Sequence, residues 1–372
     1  MEMGEKEMNQ IIVVGYMHKF KDKRVWKTVE ILSKEFFVHY VFWEDKPFKY
    51  EEIKNVKLYP LKYNYDKNNQ IKDIFNRIEY EKNICKTVKR IFTKNNIKYL
   101  YIHHFGYFKP FCLYKIAKAK NIKVITDFHE YVAEEYMFSL RNKLPIIPLI
   151  GKFIDKKIIE YSDKGIFVSN GIAEHAKNIK SNLKIQIIPN YATNSVNTFS
   201  QKQKKIVFVG GNAKRMKKEL EILKELNNQG FEIESIGVNL NEKFINYIPF
   251  LQYEDMLKKL SESAFSIVSY SPYDQKGNLL KNYVYSMPNK FFDSIAANTP
   301  VIIREEFLEM KNFVDKFGVG IVINPDNLRE STEKIISAYE KYDQLIENIK
   351  KHKSGFVWNM EKEKTFIDFV VS

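Results

Sequence analysis

The sequence predicts an α/β protein built from two similar domains. At 372 residues and 44.2 kDa, the chain is longer than a single hydrophobic core usually supports. Short apolar runs typical of buried strands alternate with stretches of helical periodicity, first over residues 11–188 and again from residue 205. That alternation favours parallel sheets flanked by helices. With 44% hydrophobic and 15% aromatic residues, the composition excludes a disordered chain.

The first half alternates strand and helix several times. The apolar run 11–14 ends at Gly15, helical periodicity follows, and the run 36–42 is rich in aromatic and β-branched residues. This order predicts a βαβ unit. Further helices are predicted over about 71–93, 111–120 and 148–161, each preceding a strand, at 99–102, 124–126 and 165–168, and a strand at 185–188 closes the series.

The second half repeats this logic after a polar stretch. Residues 189–203 are rich in Asn, Thr and Ser, which predicts a linker. A strand at 205–209 then leads through Gly210 and Gly211 into a helix that Gly230 should end. Later strands are predicted at 233–236, 265–269, 301–303 and 320–323, and a final helix over 360–370. We expect an N-terminal domain over 1–190, a linker over 191–203, a C-terminal domain over 204–355, and a C-terminal helix within 356–372 that packs toward the first domain.

Positive charge is concentrated in the first half. The net charge is +14, and residues 1–200 carry 35 Lys and Arg against 22 Asp and Glu, whereas the remainder carries 25 against 24. A one-sided basic surface points to nucleic acid, anionic lipid or phosphorylated substrates. The alternative is a genome-wide bias toward lysine, but such a bias should raise the positive charge of both halves of the chain.

The cysteines and the apolar segments bear on the cellular compartment. Cys85 and Cys112 are too few for a disulfide framework or a multi-cysteine metal site, so we expect a reducing, cytoplasmic compartment. No uncharged apolar stretch reaches the ~18 residues of a membrane span. The acidic, polar N-terminus is unlike a secretory signal. We therefore expect a protein that is soluble or lies on a membrane surface.

The turn after the strand at 205–209 has features of an anion site. Gly210-Gly-Asn-Ala-Lys-Arg-Met-Lys-Lys218 opens a helix, with Asn212 as the expected N-cap. Glycines permit close backbone approach, and a helix N-terminus offers free N–H groups. Lys214, Arg215 and Lys217 stand where the helix dipole disfavours cations, which favours a bound anion over the alternative of a solvated basic turn. The spacing matches neither GxGxxG nor the Walker pattern, so it supports neither dinucleotide binding nor P-loop hydrolysis.

A second candidate segment runs from Met287-Pro-Asn-Lys-Phe-Phe-Asp293 to Val301. Pro288 suits the first turn of a helix, and Asn298 suits its end. Lys290 and Asp293 are one turn apart and share a face. Taken alone, the segment favours a surface ion pair on a helix that packs Phe291 and Ile295 inward.

The same segment resembles the nucleotide-sugar-binding signature of GT-B glycosyltransferases. It is most similar to the large retaining family (group 1, or family 4-like) of bacterial polysaccharide and glycolipid enzymes, with the form P-N-K-L-F-E-Y-M-A-A-G-x-P-V. Four further segments resemble that family in the same order: Asp127-Phe-His-Glu130, Phe167-Val-Ser-Asn-Gly-Ile172, Ile188-Pro-Asn190, and Tyr253 to Tyr270. The resemblance spans most of the chain. It implies the GT-B fold, in which two Rossmann-like domains with parallel sheets face each other across a cleft.

The resemblance also implies roles for individual residues. Arg215 and Lys217 would bind the donor diphosphate and stabilise it as it leaves. Asp293 would accept hydrogen bonds from the ribose hydroxyls. His129 would lie close to the donor sugar, although a lone histidine is as often a structural residue. The remaining candidates are Gly210, Gly211, Lys214, Asn289 and Lys290 around the phosphates, and Gly15, His18 and Arg24 in the first loop of the N-terminal domain, near donor and acceptor.

Two departures from the family pattern leave the identity of the donor sugar open. Tyr285 stands where many relatives carry a Glu that contacts the donor sugar, and Asp293 replaces a longer Glu. The glycine turn also lacks the form G-R-x-x-x-x-K-G, so the choice among Lys214, Arg215 and Lys217 for the diphosphate stays open.

The acceptor side is predicted from the basic half. Leu144-Pro-Ile-Ile-Pro-Leu-Ile150 precedes Lys152, Lys156 and Lys157, a composition typical of a helix in a membrane interface. A core-facing helix is the alternative, and the basic helix over 71–93 is a second candidate contact. Either contact would fit a lipid-linked acceptor at the inner face of the plasma membrane.

We therefore expect a retaining glycosyltransferase that moves a sugar from a UDP- or GDP-sugar to a glycan or lipid-linked acceptor in bacterial surface-glycan assembly. The resemblance implies a front-face displacement. We expect no metal, because the sequence shows no convincing paired-carboxylate D-x-D feature and the basic cluster can neutralise the charge of the leaving group. We also expect no cofactor and no nucleic-acid partner. One alternative is a nucleotide-sugar 2-epimerase, which needs several carboxylates and histidines, where only His129 and Glu130 are candidates. Another is a basic nucleic-acid-binding protein, which should show a binding module or interleaved aromatic and basic residues.

Overall fold

The computed structural model describes residues 8–45, 52–64, 70–104, 111–135, 144–198, 202–210, 216–274 and 276–372. The chain divides into two compact units. Unit 1 comprises residues 1–188 with 363–372, and unit 2 comprises residues 189–362. Each unit is a parallel sheet with helices, which confirms the predicted α/β class.

Unit 1 contains a seven-stranded sheet in the order β3-β2-β1-β4-β5-β6-β7, and its neighbouring strands are parallel. Its described elements are β1 Gln10–Lys19, α1 Lys23–Leu32, β2 Phe37–Trp43, β3 Val56–Leu61, α2 Gln70–Lys94, β4 Ile97–His103, α3 Phe111–Ala119, β5 Lys123–Phe128, α4 Val132–Glu135, α5 Ile146–Tyr161, β6 Lys164–Phe167, α6 Asn170–Ile179 and β7 Lys184–Ile187.

Unit 2 contains a six-stranded parallel sheet in the order β10-β9-β8-β11-β12-β13. Its described elements are β8 Gln203–Val209, α7 Lys217–Asn228, β9 Glu232–Ile236, β10 Ile245–Ile248, α8 Tyr253–Glu262, β11 Ser263–Val268, α9 Lys281–Val284, α10 Asn289–Ala296, β12 Val301–Arg304, α11 Leu308–Phe317, β13 Gly320–Ile323, α12 Leu328–Glu340, α13 Tyr342–His352 and a 3₁₀ turn at Lys353–Phe356. The last helix, α14 Met360–Val371, belongs to unit 1 from residue 363 onward.

The central strands are apolar on both faces, as parallel strands covered by helices require. The four residues from Ile11 to Val14 in β1 are fully buried, and so are the residues from Val301 to Ile303 in β12. Two predicted helix ends are confirmed. Gly230, with φ +85°, follows α7, and Asn298, with φ +62°, follows α10.

Two edge strands, β3 and β10, were not predicted. Both are only partly buried, so their sequences lack the apolar runs that mark the central strands. Pro60 lies inside β3, where an edge position tolerates the missing N–H group.

The order of the strands reverses once in each sheet. In unit 1 the reversal falls between β1 and β4, and in unit 2 between β8 and β11. Open parallel sheets bind ligands outside the carboxyl ends of their strands, at the point of reversal. These two edges are therefore where candidate sites are sought.

The expectation of a reducing compartment, which was based on the number of cysteines, needs a correction. Cys85 in α2 and Cys112 in α3 are joined by a disulfide, with Cα atoms 6.2 Å apart, within the span that such a bond requires. Two cysteines far apart in sequence meet because the helices that carry them pack together. Their number therefore gives no support for a reducing compartment. Among the described helices, none combines the length and apolar composition needed to cross a bilayer.

Candidate functional site

The first candidate site lies at the carboxyl ends of β1, β4 and β5, where three histidines meet. His103 ends β4, His129 follows β5, and His18 lies near the end of β1. The ring centroids are 5.0 Å apart for His18 and His129 and 5.2 Å apart for His103 and His129. Nδ1 of His103 lies 3.0 Å from Nε2 of His129, a hydrogen-bond distance. His129, which looks like a lone histidine in the sequence, is thus one member of a cluster of three.

Asp127 anchors this cluster. Its carboxylate accepts hydrogen bonds from Arg24, whose Nη2 lies 2.7 Å from Oδ1, and from the hydroxyl of Tyr101, 2.9 Å from Oδ2. The side chain of Asp127 is 2% exposed. Burial alone would raise the pKa of Asp127, but the adjacent guanidinium holds that pKa below its usual value. Asp127 therefore stays charged while it is buried.

His103 contacts both Asp127 and His129. Burial lowers the pKa of His103 to about 3, although the charge of Asp127 works in the opposite direction. The ring is therefore neutral near pH 7 and carries one N–H group. Its Nδ1 also lies 3.4 Å from Oδ2 of Asp127, whose charge favours a proton on that nitrogen. Nδ1 of His103 is therefore within 3.4 Å of both the Asp127 carboxylate and Nε2 of His129.

The same three side chains form a metal-type set. One ligand atom from each of His103, Asp127 and His129 lies within 4.8 Å of the others. However, the carboxylate already accepts hydrogen bonds from Arg24 and Tyr101. A guanidinium beside the carboxylate also opposes a second cation. The donor set therefore suits a hydrogen-bonded cluster better than a metal ion.

Two residues expected near the acceptor have partners inside unit 1. Nδ1 of His18 lies 3.1 Å from Oδ2 of Asp22. Arg24 pairs with Asp127, and its Nη1 donates to the carbonyl of Ile188 at 3.0 Å. In this structure the guanidinium of Arg24 balances a buried carboxylate.

Gly15 lies inside β1. A Cβ atom at this position would lie 3.2 Å from the ring of Tyr40 and 3.2 Å from a methyl of Val25, so core packing already requires a small residue here. The acceptor-side lysines Lys152 and Lys156 both lie on the exposed face of α5.

The second candidate site lies at the carboxyl ends of β8 and β11. Lys290, in the first turn of α10, places its Nζ 4.8 Å from the ring centroid of Phe208 in β8 and 5.4 Å from that of Tyr270, after β11. Burial lowers the pKa of Lys290 to about 8. No carboxylate of the described chain forms an ion pair with this ammonium. A desolvated cation of this kind is stabilised when an anion approaches it.

Asp293 lies one turn further along α10 and has a different environment. It is 4% exposed and accepts a hydrogen bond of 2.7 Å from the hydroxyl of Tyr253. That hydroxyl accepts from the backbone N–H of Thr193 at 3.4 Å. The surface ion pair between Lys290 and Asp293, considered as an alternative from the sequence, does not form.

Hydrogen bonds from side chains to the backbone hold both ends of α10 in place. Asn190 donates to the carbonyl of Met287 at 2.9 Å, just before Pro288 occupies the N-cap position. At the other end Asn298 donates to the carbonyls of Val196 and Thr198, both at 3.0 Å. The two segments that carry the resemblance therefore meet in space.

The glycine turn is only partly described. Gly211, Asn212, Lys214 and Arg215 lie outside the described residues. Helix α7 starts at Lys217 with Met216 in the N-cap position, so Asn212 as its N-cap is wrong.

The other predicted residues of this edge are placed as follows. A Cβ atom on Gly210 would lie 2.7 Å from the ring of Phe208, the ring beneath Lys290. Lys217 and Asn289 are exposed, each as the first residue of its helix, and Tyr285 follows α9 with partial exposure.

Sequence reasoning missed a buried charge network at the same edge. Glu219, in the first turn of α7, is fully buried and accepts hydrogen bonds from Ser269 and from Nη1 of Arg304, the latter at 2.8 Å. Arg304 ends β12 and also donates to Glu306 at 2.7 Å. The network ties the start of α7 to the ends of β11 and β12. An arginine that ends an apolar strand was the signal in the sequence.

Comparisons with known proteins agree with this architecture. The model of the glucosyltransferase 3-like C-terminal domain matches residues 206–358. A search of curated protein sequences finds no significant match.

Several solved structures are similar over nearly the whole chain. Sucrose-phosphate synthase from Thermosynechococcus elongatus is 12% identical with a TM-score of 0.69, covering 97% of both chains. A trehalose-6-phosphate structure from E. coli, bound with UDP-2-fluoro glucose, is 11% identical with a TM-score of 0.62, covering 97% of this chain and 99% of the other. A glycosyltransferase from Rickettsia africae is 14% identical with a TM-score of 0.62, covering 99% and 100%.

At these identities the likeness establishes the fold. The two parallel sheets, the order of their strands and the near-complete coverage of the solved structures all agree with the resemblance found in the motifs. The chain has the GT-B fold of glycosyltransferases, and residues 206–358 of its second unit resemble the glucosyltransferase 3-like C-terminal domain.

Proposed function

We propose that the chain is a glycosyltransferase that takes its sugar from a UDP- or GDP-sugar. The observation that carries this proposal is the position of Lys290. Its desolvated ammonium lies over Phe208 and Tyr270 at the point where the strand order of unit 2 reverses. A diphosphate would supply the negative charge that this ammonium lacks among the described residues. The match of the glucosyltransferase 3-like model to the same unit supports this function.

The other residues of unit 2 have proposed roles around the same ligand. Asp293, whose carboxylate also accepts from the Tyr253 hydroxyl, would accept hydrogen bonds from the ribose hydroxyls. Arg215, Lys217, Lys214 and the backbone at Gly210, Gly211 and Asn289 would bind the phosphates, and Tyr285 would stand near the sugar. The bound UDP-2-fluoro glucose in the similar E. coli structure supports a nucleotide-sugar donor.

The proposed reaction is a front-face displacement with retention. The acceptor hydroxyl oxygen bonds to the anomeric carbon while the bond from that carbon to the diphosphate oxygen breaks. The departing diphosphate takes the hydroxyl proton, and cations such as Lys290 stabilise its charge. His129, held by His103, would donate a hydrogen bond to the transferred sugar. The step needs no metal in this proposal, because protein cations neutralise the leaving group.

The acceptor in this proposal is a glycan or a lipid-linked glycan of the bacterial surface. The basic first half supports an anionic environment for it. We place the protein in the cytoplasm, in contact with the inner face of the plasma membrane.

Nucleotide binding gives the direct test. Titration of the full chain with UDP, GDP, CDP and ADP should raise its thermal stability for UDP or GDP, since a ligand at 100 times its Kd stabilises by about 2.7 kcal/mol. Lys290→Met should lose most of this stabilisation. Lys316→Met is the matched control, because Lys316 also lies over an aromatic ring, that of Phe317 at 5.2 Å, but is exposed. Equal stabilisation of both variants would contradict the assignment of Lys290.

Incubation with the donor alone separates the transferase from the epimerase alternative. The cluster of His18, His103 and His129 supplies more proton-transferring groups than the sequence indicated, which favours testing this alternative. Formation of an epimer without acceptor would overturn the proposal, whereas release of the nucleotide only with acceptor would support it. A gel shift with nucleic acid at physiological ionic strength that weakens as salt is added would also contradict it.

A further inference from the structure

Helix α5 of unit 1 carries an exposed apolar surface. Leu144, just before the helix, and Ile146, Leu149 and Phe153 within it have exposed fractions of 47%, 57%, 63% and 58%. Scattered single apolar residues on a surface are ordinary, but a contiguous patch marks an interaction site. These four side chains fall within ten residues. We call them the α5 patch.

Helical geometry places the α5 patch on the side opposite the core. Residues 146, 149 and 153 follow the spacing i, i+3, i+7, so they share one face. Ile147, Ile154 and Ile158 point the other way and are buried in unit 1. The helix is therefore apolar on both sides. One side packs in the core, and no element among the described residues covers the other.

Lysines border the α5 patch. Lys152 and Lys156 are exposed, and Lys157 is half-buried. Glu160 pairs with Lys157 at 2.8 Å and with Lys156 at 3.8 Å. The border thus keeps an excess of positive charge, within a half of the chain that is itself strongly basic. An apolar centre with a cationic border is complementary to the interface of an anionic bilayer.

The α5 patch lies toward the same edge of the unit 1 sheet as the histidine cluster. Helix α5 runs between β5 and β6, which are parallel neighbours, and it ends just before the amino end of β6. Its first turns therefore lie toward the carboxyl edge of the sheet, where Asp127 and His129 are. A surface that touches the α5 patch would lie on the side of unit 1 that carries the candidate site.

We propose that the first turns of α5 dock unit 1 on a bilayer that contains anionic lipid. Leu149 and Phe153 enter the interface, while Lys152 and Lys156 contact the headgroups. A second copy of the chain is a poorer occupant, because four half-exposed side chains offer far less than the ~800 Å² per partner of a stable interface. The inference deepens the proposed function by naming its membrane surface, but it does not require the transferase activity.

Flotation of the full chain with vesicles tests the docking. The vesicles are phosphatidylcholine alone and phosphatidylcholine mixed with phosphatidylglycerol. We expect the chain to float with the anionic vesicles and to dissociate as salt is added. Leu149→Ser/Phe153→Ser should weaken this binding about tenfold or more. Lys152→Glu/Lys156→Glu should weaken it about tenfold on anionic vesicles. All four residues are exposed, so the variants should fold.

Phe250→Ser is the matched control. Phe250 is 81% exposed in unit 2 and lies outside any helix, so its loss should leave vesicle binding unchanged. Unchanged binding of the Leu149→Ser/Phe153→Ser variant would overturn the proposal. So would a parent chain that ignores anionic vesicles, or one whose self-association depends on the α5 patch. Nucleotide titration without vesicles reports on the transferase separately, so a failure of either proposal is distinguishable from a failure of the other.

Discussion

Arg24 and Asp127 form a buried ion pair at the carboxyl edge of the unit 1 sheet, with Nη2 of the arginine 2.7 Å from Oδ1 of the aspartate. Their side chains are 11% and 2% exposed. Arg24 lies in the first turn of α1 and Asp127 is the second-to-last residue of β5, so the pair connects two distant parts of the chain. Because Asp127 also lies 3.4 Å from Nδ1 of His103, the ion pair connects Arg24 to the histidine cluster.

Loss of Arg24 should destabilise the protein strongly. Arg24→Met leaves the Asp127 carboxylate buried without its cation, which costs about 3–5 kcal/mol. Arg329→Met is the matched control, because Arg329 pairs with Glu333 at a similar distance, 2.8 Å, but at an exposed position, and its loss should change little. The free energy of unfolding in urea measures both. Comparable losses in the two variants would show that the buried pair has no special role.

Nucleotide affinity should depend on pH through Lys290. Its pKa of about 8 means that the ammonium binds a diphosphate fully below that pH and loses its charge above it. The second ionisation of a phosphate, near pH 6, is already complete there. Calorimetric titration with UDP or GDP should show Kd rising above about pH 8 in the parent, and a flat profile in Lys290→Met. A parent profile that stays flat to about pH 10 would contradict this.

The same lowered pKa has an effect on the ligand-free protein with a defined sign. Between pH 8 and the ordinary pKa of 10.5, the unfolded chain binds a proton that folded Lys290 does not. The free energy of unfolding should therefore increase as pH rises through this window, more in the parent than in Lys290→Met. Unfolding in urea at several pH values measures the difference.

His103 should make the fold sensitive to acid. Its pKa of about 3 lies below the ordinary 6.5, so the unfolded chain binds an extra proton between these values. Stability should fall as pH decreases from about 6.5, by at most about 1.4 kcal/mol per pH unit from this residue. His103→Gln should reduce the slope, whereas His352→Gln in unit 2 should retain it.

A second measurement distinguishes positioning from simple packing at His103. If His103 orients His129, the His103→Gln variant should also change the pH profile of turnover with a nucleotide sugar. A purely structural role would lower stability and leave that profile where it is.

Gly210→Ala should weaken both stability and nucleotide binding. The new Cβ would lie 2.7 Å from the buried ring of Phe208, and such overpacking costs about 1–3 kcal/mol. Because Lys290 lies over that ring, a shifted Phe208 displaces the ammonium as well. Gly355→Ala is the control, since a Cβ there meets no atom within 4 Å. Equal effects of the two substitutions would refute this link.

The disulfide should stabilise unit 1 under oxidising conditions only. Cys85 and Cys112 are 27 residues apart, and closing a loop of that size contributes about 3 kcal/mol. The Cys85→Ser/Cys112→Ser variant should therefore unfold more easily than the oxidised parent and like the reduced parent. Alkylation of the parent at lysis would report whether the bond exists in the cell.

The sequence by itself determined the fold class and most of its elements. Buried runs such as 11–14 and 301–303 identify central parallel strands, because such strands must be apolar on both faces. The edge strands β3 and β10 escaped prediction because both are partly exposed. The segment from Pro288 to Val301 was recognisable because one helix carries its chemistry in consecutive residues.

Only the tertiary structure decided which distant side chains meet. His18, His103 and His129 come from three strand ends, and no local pattern announces that the order of the sheet places those ends together. For the same reason Arg24 turned out to balance Asp127, and Cys85 to pair with Cys112. Periodicity records whether a residue is buried within its own element. The partners of a residue depend on strand order and helix packing, which no local sequence pattern shows.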